Sequence, residues 1–253
     1  NVPYKELIPF AENIHSDRML RENNEKMRQE FTANVSHELK TPLTSISGYA
    51  ELIETGIAKP EDTPGFARKI HVEASRMIQL VNDILQLSHL DNVSETGAAP
   101  AMETVDLLDV ARECVERQKV NARHSYISLT YLGESAPVTG SRVLLDELCQ
   151  NLCDNAIRYN RPGGKVQIIT ACTRDGHCTL TVKDNGIGIP KEAQASVFER
   201  FYRVDKSRSK ATGGTGLGLA IVKHIARIHN ARIKLDSVVD EGTTITVIFE
   251  TAS

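Results

Sequence analysis

The sequence predicts an α+β chain in two parts, a helical hairpin followed by a two-layer α/β sandwich. Three observations carry this reading. Apolar residues recur at steps of three and four along two long stretches before residue 91. A stretch with Gly97, Ala98, Ala99 and Pro100 and little periodicity follows, at 92–104. Beyond it, helical rhythm alternates with two-residue alternation, as expected of helices laid on a sheet. With 253 residues, the chain has room for two domains at ~100–200 residues each. The expected segments are an N-terminal helical extension at 1–30, the hairpin at 31–91, a linker at 92–104 and the sandwich at 105–253.

In the first helix Met27, Phe31, Val35, Leu39, Leu43, Ile46, Ala50 and Ile53 form one apolar stripe. Gly56, Pro60 and Pro64 supply the turn. In the second helix Phe66, Ile70, Ala74, Met77, Val81, Ile84 and Ser88 keep the same rhythm. A lone hairpin leaves apolar surface wet, so a second copy, giving a dimeric four-helix bundle, is expected. The alternative is that this stripe packs on the C-terminal domain. Further on, Asp106 can cap a helix running to about Val120. Ile127, Leu129 and Tyr131 alternate like a strand. Ser141 can cap a helix to about Tyr159, and strands are expected at 166–171 and 179–183. A helix at 217–229 and a hairpin at 233–237 and 243–250 close the domain.

Bulk composition narrows the function. The net charge of −3 and the absence of Trp give no pull toward nucleic acid. The five cysteines include no CxxC pair and read as reduced thiols. Cys149 and Cys153, one helical turn apart, read as small buried hydrophobes rather than a metal pair. No apolar run approaches the ~18–20 residues of a membrane span, and no signal peptide is visible. The chain is expected to be a cytoplasmic region.

His37 stands out among the eight histidines. It lies two residues from both Val35 and Leu39, about 200° around the helix, and so faces solvent. Glu38 can hold one imidazole nitrogen as N–H and leave the other to attack. Thr41, one turn on, could position a water beside a modified imidazole. Pro42 removes a helix bond and bends the rod. The run FTANVSHELKTPL at 31–43 resembles the phosphoacceptor box of bacterial sensor histidine kinases, most closely those of the phosphate-regulon and cell-wall type. The resemblance implies that His37 is phosphorylated, that Glu38 assists, and that Thr41 serves in dephosphorylating a partner regulator. It also implies membrane attachment through a segment upstream of this sequence.

No P-loop and no protein-kinase motif set is present. Instead Glu147, Asn151, Asn155 and Arg158 share one helix stripe. Their amide oxygens suit Mg²⁺ and the guanidinium suits a phosphate; alone, the stripe would be a solvated face. Asp184, Asn185, Gly186, Ile187 and Gly188 follow a strand, where Asp184 can accept a hydrogen bond from an adenine amino group. Gly213, Gly214, Thr215, Gly216, Leu217 and Gly218 open a helix and present backbone N–H groups to an anion. Lys206, Arg208 and Lys210 just before it read as a cationic lid. Gly242, Thr243 and Thr244 read as a turn into the last strand.

Together these pieces resemble the ATP-binding domain shared by histidine kinases with the Hsp90, gyrase and MutL families. The resemblance implies ATP and Mg²⁺ as cofactors. It places the metal at Asn155, with Asn151 as a second candidate, and nucleotide contacts at Arg158, Tyr159, Asp184, Gly186, Gly188, Phe201, Lys206, Arg208, Gly214, Thr215, Gly216, Leu217, Gly218 and Thr243. Arg158 stands where the family usually has Lys. The implied activity is ATP-dependent autophosphorylation of His37 and transfer to an aspartate of a response regulator receiver domain, within a homodimer. Competing readings are a phosphatase-dominant protein, a catalytically silent nucleotide-binding scaffold, and a serine kinase or chaperone ATPase of the same superfamily. The last group lacks a phosphoacceptor helix.

Overall fold

The computed structural model describes residues 8–96, 100–173, 175–204 and 214–250. The chain divides into two compact units, Asn1–Ile78 and Gln79–Ser253.

The first unit holds helix α1, Ile8–Glu54, and the start of α2, Thr63–Thr96. The turn falls where glycine and proline predict it, with Gly56 at φ 71°. Tyr49 and Phe66 stack across the hairpin with ring centroids 5.4 Å apart, and the Lys69 ammonium lies over the Tyr49 ring. Phe31, Val35, Leu39, Ile46 and Ile53 are only half-buried, and Leu43 and Ala50 are exposed. Within one chain the stripe therefore remains unfilled.

The second unit begins in the distal half of α2. Its buried stripe there is Leu80, Asp83, Leu87 and Leu90, a spacing of three and four. Val81 and Ser88, expected on the inner face, are exposed. The helix runs on to Thr96 and strand β1, Glu103–Asp106, starts inside the expected linker. β1 pairs antiparallel with β3, Pro137–Gly140. The main sheet has five strands in the order β2 (Ser128–Gly133), β4 (Lys165–Cys172), β5 (Cys178–Asp184), β7 (Gly242–Phe249) and β6 (Arg232–Val238). Only β2 and β4 run parallel; the other pairs are antiparallel. Helices α3 (Leu107–His124), α4 (Arg142–Arg158) and α5 (Gly218–Ile228) form the second layer. Val166, Ile168, Leu180, Val182 and Val247 point from the sheet into a core completed by Leu145, Leu148, Leu152, Ile221 and Ile225.

Helix starts have identifiable causes. Asp106 Oδ1 accepts from the Leu108 N–H at 2.9 Å, a side-chain N-cap. Ser141 makes no such bond. Its own N–H donates to His229 Nε2 at 3.0 Å, while His229 Nδ1 donates to the Ile225 carbonyl at 2.8 Å. That pair of bonds fixes the neutral tautomer, and burial holds its pKa below the usual value. The expectation of five reduced thiols fails at one place. Cys172 and Cys178 face each other on the last rung of β4 and β5 and form a disulfide. The other three, Cys114, Cys149 and Cys153, are buried free thiols in the helix layer.

Candidate functional site

A cavity of about 1030 Å³ opens between α4, the ends of β5 and β7, and the start of α5. α4 delivers Asn151, Asn155 and Arg158 to its wall because residues three and four apart share a helix face. Asn151 Nδ2 donates to the Glu147 carbonyl at 3.0 Å, which turns Oδ1 toward the glycine-rich segment. A Cβ added at Gly218 would sit 3.0 Å from that oxygen and 3.6 Å from Asn155 Nδ2. Only glycine lets the start of α5 come so close to both amides.

Asp184, last in β5, lies in the opposite wall. Its Oδ1 accepts from the N–H of Gly186 at 2.8 Å and of Thr243 at 3.2 Å. Burial raises the carboxyl pKa and these two bonds oppose the rise. The carboxylate thus ties the turn after β5 to the start of β7. Gly188, at φ 68°, runs against the Val238 backbone.

Gly216, at φ 74°, packs on Phe201, whose N–H donates to the Gly216 carbonyl at 2.9 Å. Phe201 itself is at φ 63°, an uncommon backbone for a bulky residue and a sign of local constraint. Gly214, Thr215 and Gly218 line the cavity with Tyr159. Gly186 packs against the Tyr159 backbone, and Leu217 is fully buried under the start of α5. Lys206, Arg208 and Lys210 lie outside the described residues.

The lining also includes polar residues that the sequence reading did not single out, among them Asn121, Asp154 and two from the distal part of α2, Gln79 and Asp83. Asp83 is only 7% exposed. Its position in the Leu80–Leu90 stripe marks it as a buried carboxylate but not as a residue of this cavity. Glu147, half-buried on α4, has its carboxyl pushed up to about 7 by burial and by the Asp83 charge.

In the first unit His37 is exposed on α1. It shares a shallow groove with Lys40, Thr41, Thr44 and Ser45. The Thr41 hydroxyl donates to the His37 carbonyl at 3.3 Å, and Ser45 to the Thr41 carbonyl at 3.3 Å. Such back-bonding favours a bent helix, and it brackets the buried Pro42 inside α1. Glu38 Oε2 lies 3.9 Å from Arg76 Nη2 on α2.

Two family models match the chain. Residues 27–93 match the His Kinase A (phospho-acceptor) domain, and residues 140–253 match the histidine kinase-, DNA gyrase B- and HSP90-like ATPase domain. The chain belongs to the sensor histidine kinase family. Over 243 residues it is 42% identical to the sensor-like histidine kinase SenX3 of Mycolicibacterium smegmatis, matching 94% of this chain and 61% of SenX3. The chain thus spans about three fifths of that relative. The solved mycobacterial sensor histidine kinase MprB is 32% identical, with a TM-score of 0.51 over 59% of this chain and 97% of that one. Histidine kinase ThkA, solved with the response regulator protein TrrA, shares the fold at a TM-score of 0.70 and 22% identity, over 94% of this chain and 66% of that one. The two-part architecture of the chain is therefore that of its family. Among the described residues no helix is long and apolar enough to cross a membrane.

Proposed function

We propose that this chain is the catalytic core of a protein-histidine kinase, which transfers the γ-phosphoryl group of ATP to His37 and then to an aspartate on a response regulator receiver domain. The observation that carries the reading is the single cavity where Asn151, Asn155, Arg158, Asp184, Thr215 and Thr243 converge from four separate stretches of sequence. The purine sits against Asp184, whose carboxylate selects an amino group over a carbonyl. Phosphates lie toward Arg158 and the N–H groups at the start of α5. Asn155, with Asn151 beside it, would hold Mg²⁺ through its amide oxygen, and the ion would neutralise phosphate charge. Positioning supplies most of the rate in such a transfer, and His37, exposed on α1, is open to attack the phosphorus in line. Glu38 steadies the imidazole. Thr41 positions water when the core dephosphorylates its partner regulator. The working form is a homodimer, and attachment to a membrane comes through a segment outside this sequence.

The deciding assay incubates the chain with Mg²⁺ and γ-labelled ATP beside His37→Gln. Acid-labile, alkali-stable label absent from the variant is the expected result. Label that survives in the variant would remove His37 from its role.

A further inference from the structure

Asp83 is a buried carboxylate that the proposed reaction does not use, yet it lies in the wall of the nucleotide cavity. Its Oδ2 accepts from the Thr215 hydroxyl at 2.6 Å, and its Oδ1 from Gln79 Nε2 at 2.7 Å. The same Thr215 hydroxyl accepts from the Leu217 N–H at 3.3 Å, where α5 begins. Arg158 supplies the nearby positive charge. A hydroxyl in a glycine-rich segment, a helix start and a guanidinium are the groups that hold a phosphate. Here they surround a carboxylate of the chain itself.

We propose that Asp83 is an internal stand-in for a nucleotide phosphate: its carboxylate occupies the anion-binding end of the cavity, and nucleotide binding must expel it. The inference rests on the nucleotide reading above and adds a competitor to it.

The arrangement is loaded against itself. Burial raises the pKa of Asp83, so its charge is held there at a desolvation penalty. Glu147 and Asp154 on α4 are both raised by burial, and the Asp83 charge adds to each. Expelling Asp83 relieves both carboxyls, and an incoming polyphosphate would add like charge that Asp83 cannot share. A second pair of contacts keeps this part of α2 in place. Asp91, eight residues on, meets Arg200 Nη2 at 2.8 Å and His224 Nε2 at 2.9 Å. Residues 79–91 of α2 are thus pinned at both ends, one end on the anion site and the other on the flank of α5. Because coupling is reciprocal, whatever loosens this segment tightens nucleotide binding by the same factor.

The test is calorimetric titration of the folded chain with a non-hydrolysable ATP analogue and Mg²⁺, for wild type, Asp83→Asn and Asp83→Ala. We expect both variants to bind about five-fold tighter or more. Equal or weaker affinity in folded variants overturns the competitor and leaves the nucleotide reading standing. No binding by any of the three proteins overturns both. Should the variants fail to fold, hydrogen exchange on the unaltered chain decides. The analogue must speed exchange of the amides at 79–91; unchanged or slower exchange there overturns the proposal.

Discussion

A Cβ at Gly188 would collide with the carbonyl of Val238, and the backbone there is at φ 68°. Gly188→Ala therefore combines a steric clash with left-handed strain. We expect a loss of about 1–3 kcal/mol, read as a melting temperature several degrees lower. Gly218→Ala tests a different thing. Its Cβ would press on Asn151 Oδ1 at 3.0 Å, and the atoms it meets belong to side chains of the cavity wall and not to backbone. It should keep the melting temperature within ~2 °C yet weaken binding of an ATP analogue about ten-fold or more; a normal affinity would show that Asn151 and α5 need not approach so closely. His229 sets a pH dependence. Its folded-state pKa is below 6.5, so the folded chain refuses a proton that the unfolded chain takes up. The contribution is intact above about 6.5 and is lost as pH falls below it toward the folded value. Melting temperature should drop between pH 7 and 5.5, and His229→Gln should flatten that drop. An identical acid slope in the variant would assign it to other groups.

Among the elements, those with long periodic patterns were legible and the short ones were not. The turn at Gly56–Pro60, the N-cap at Asp106 and the alternation of Ile245, Val247 and Phe249 each follow from local chemistry that the chain spells out. β1 and β3 are four residues each, too short to show a period, and one begins with a proline. Asp106 helps to bring them together by accepting from the Ala136 N–H and the Ser135 hydroxyl. Disulfide pairing of Cys172 and Cys178 was hidden because nothing in their spacing announces a two-stranded turn. Closing that short loop should stabilise the oxidised chain by about 2 kcal/mol. Thiol reductant should accordingly lower the melting temperature of wild type and leave Cys172→Ser unchanged. The site was legible at Asn151, Asn155, Asp184 and the glycines, which share the cavity wall or pack against it. Asp83 was not, since a carboxylate in an apolar helix stripe gives no hint of which distant loop it will meet.

At the scale of the whole chain, the unfilled face of the hairpin sets the expectation. Leu43 is 56% exposed, and Ile78 and Leu85, seven residues apart, are each 64% exposed. Such surface is tolerable in a bundle and a liability in a lone hairpin. Light scattering should report twice the chain mass of 27.9 kDa, and Leu43→Glu should shift it toward the monomer. A monomeric wild type at micromolar concentration would end the bundle reading. The clasp at His229 bears on how the other unit responds to ligand. It joins the first residue before α4 to the last turn of α5, at the end of both helices away from the cavity. The two helices are then like the arms of tweezers joined at His229. Their tips, at Asn155 and Gly218, meet at the cavity wall, so a guest there touches the far ends of two helices that are fastened to each other at His229.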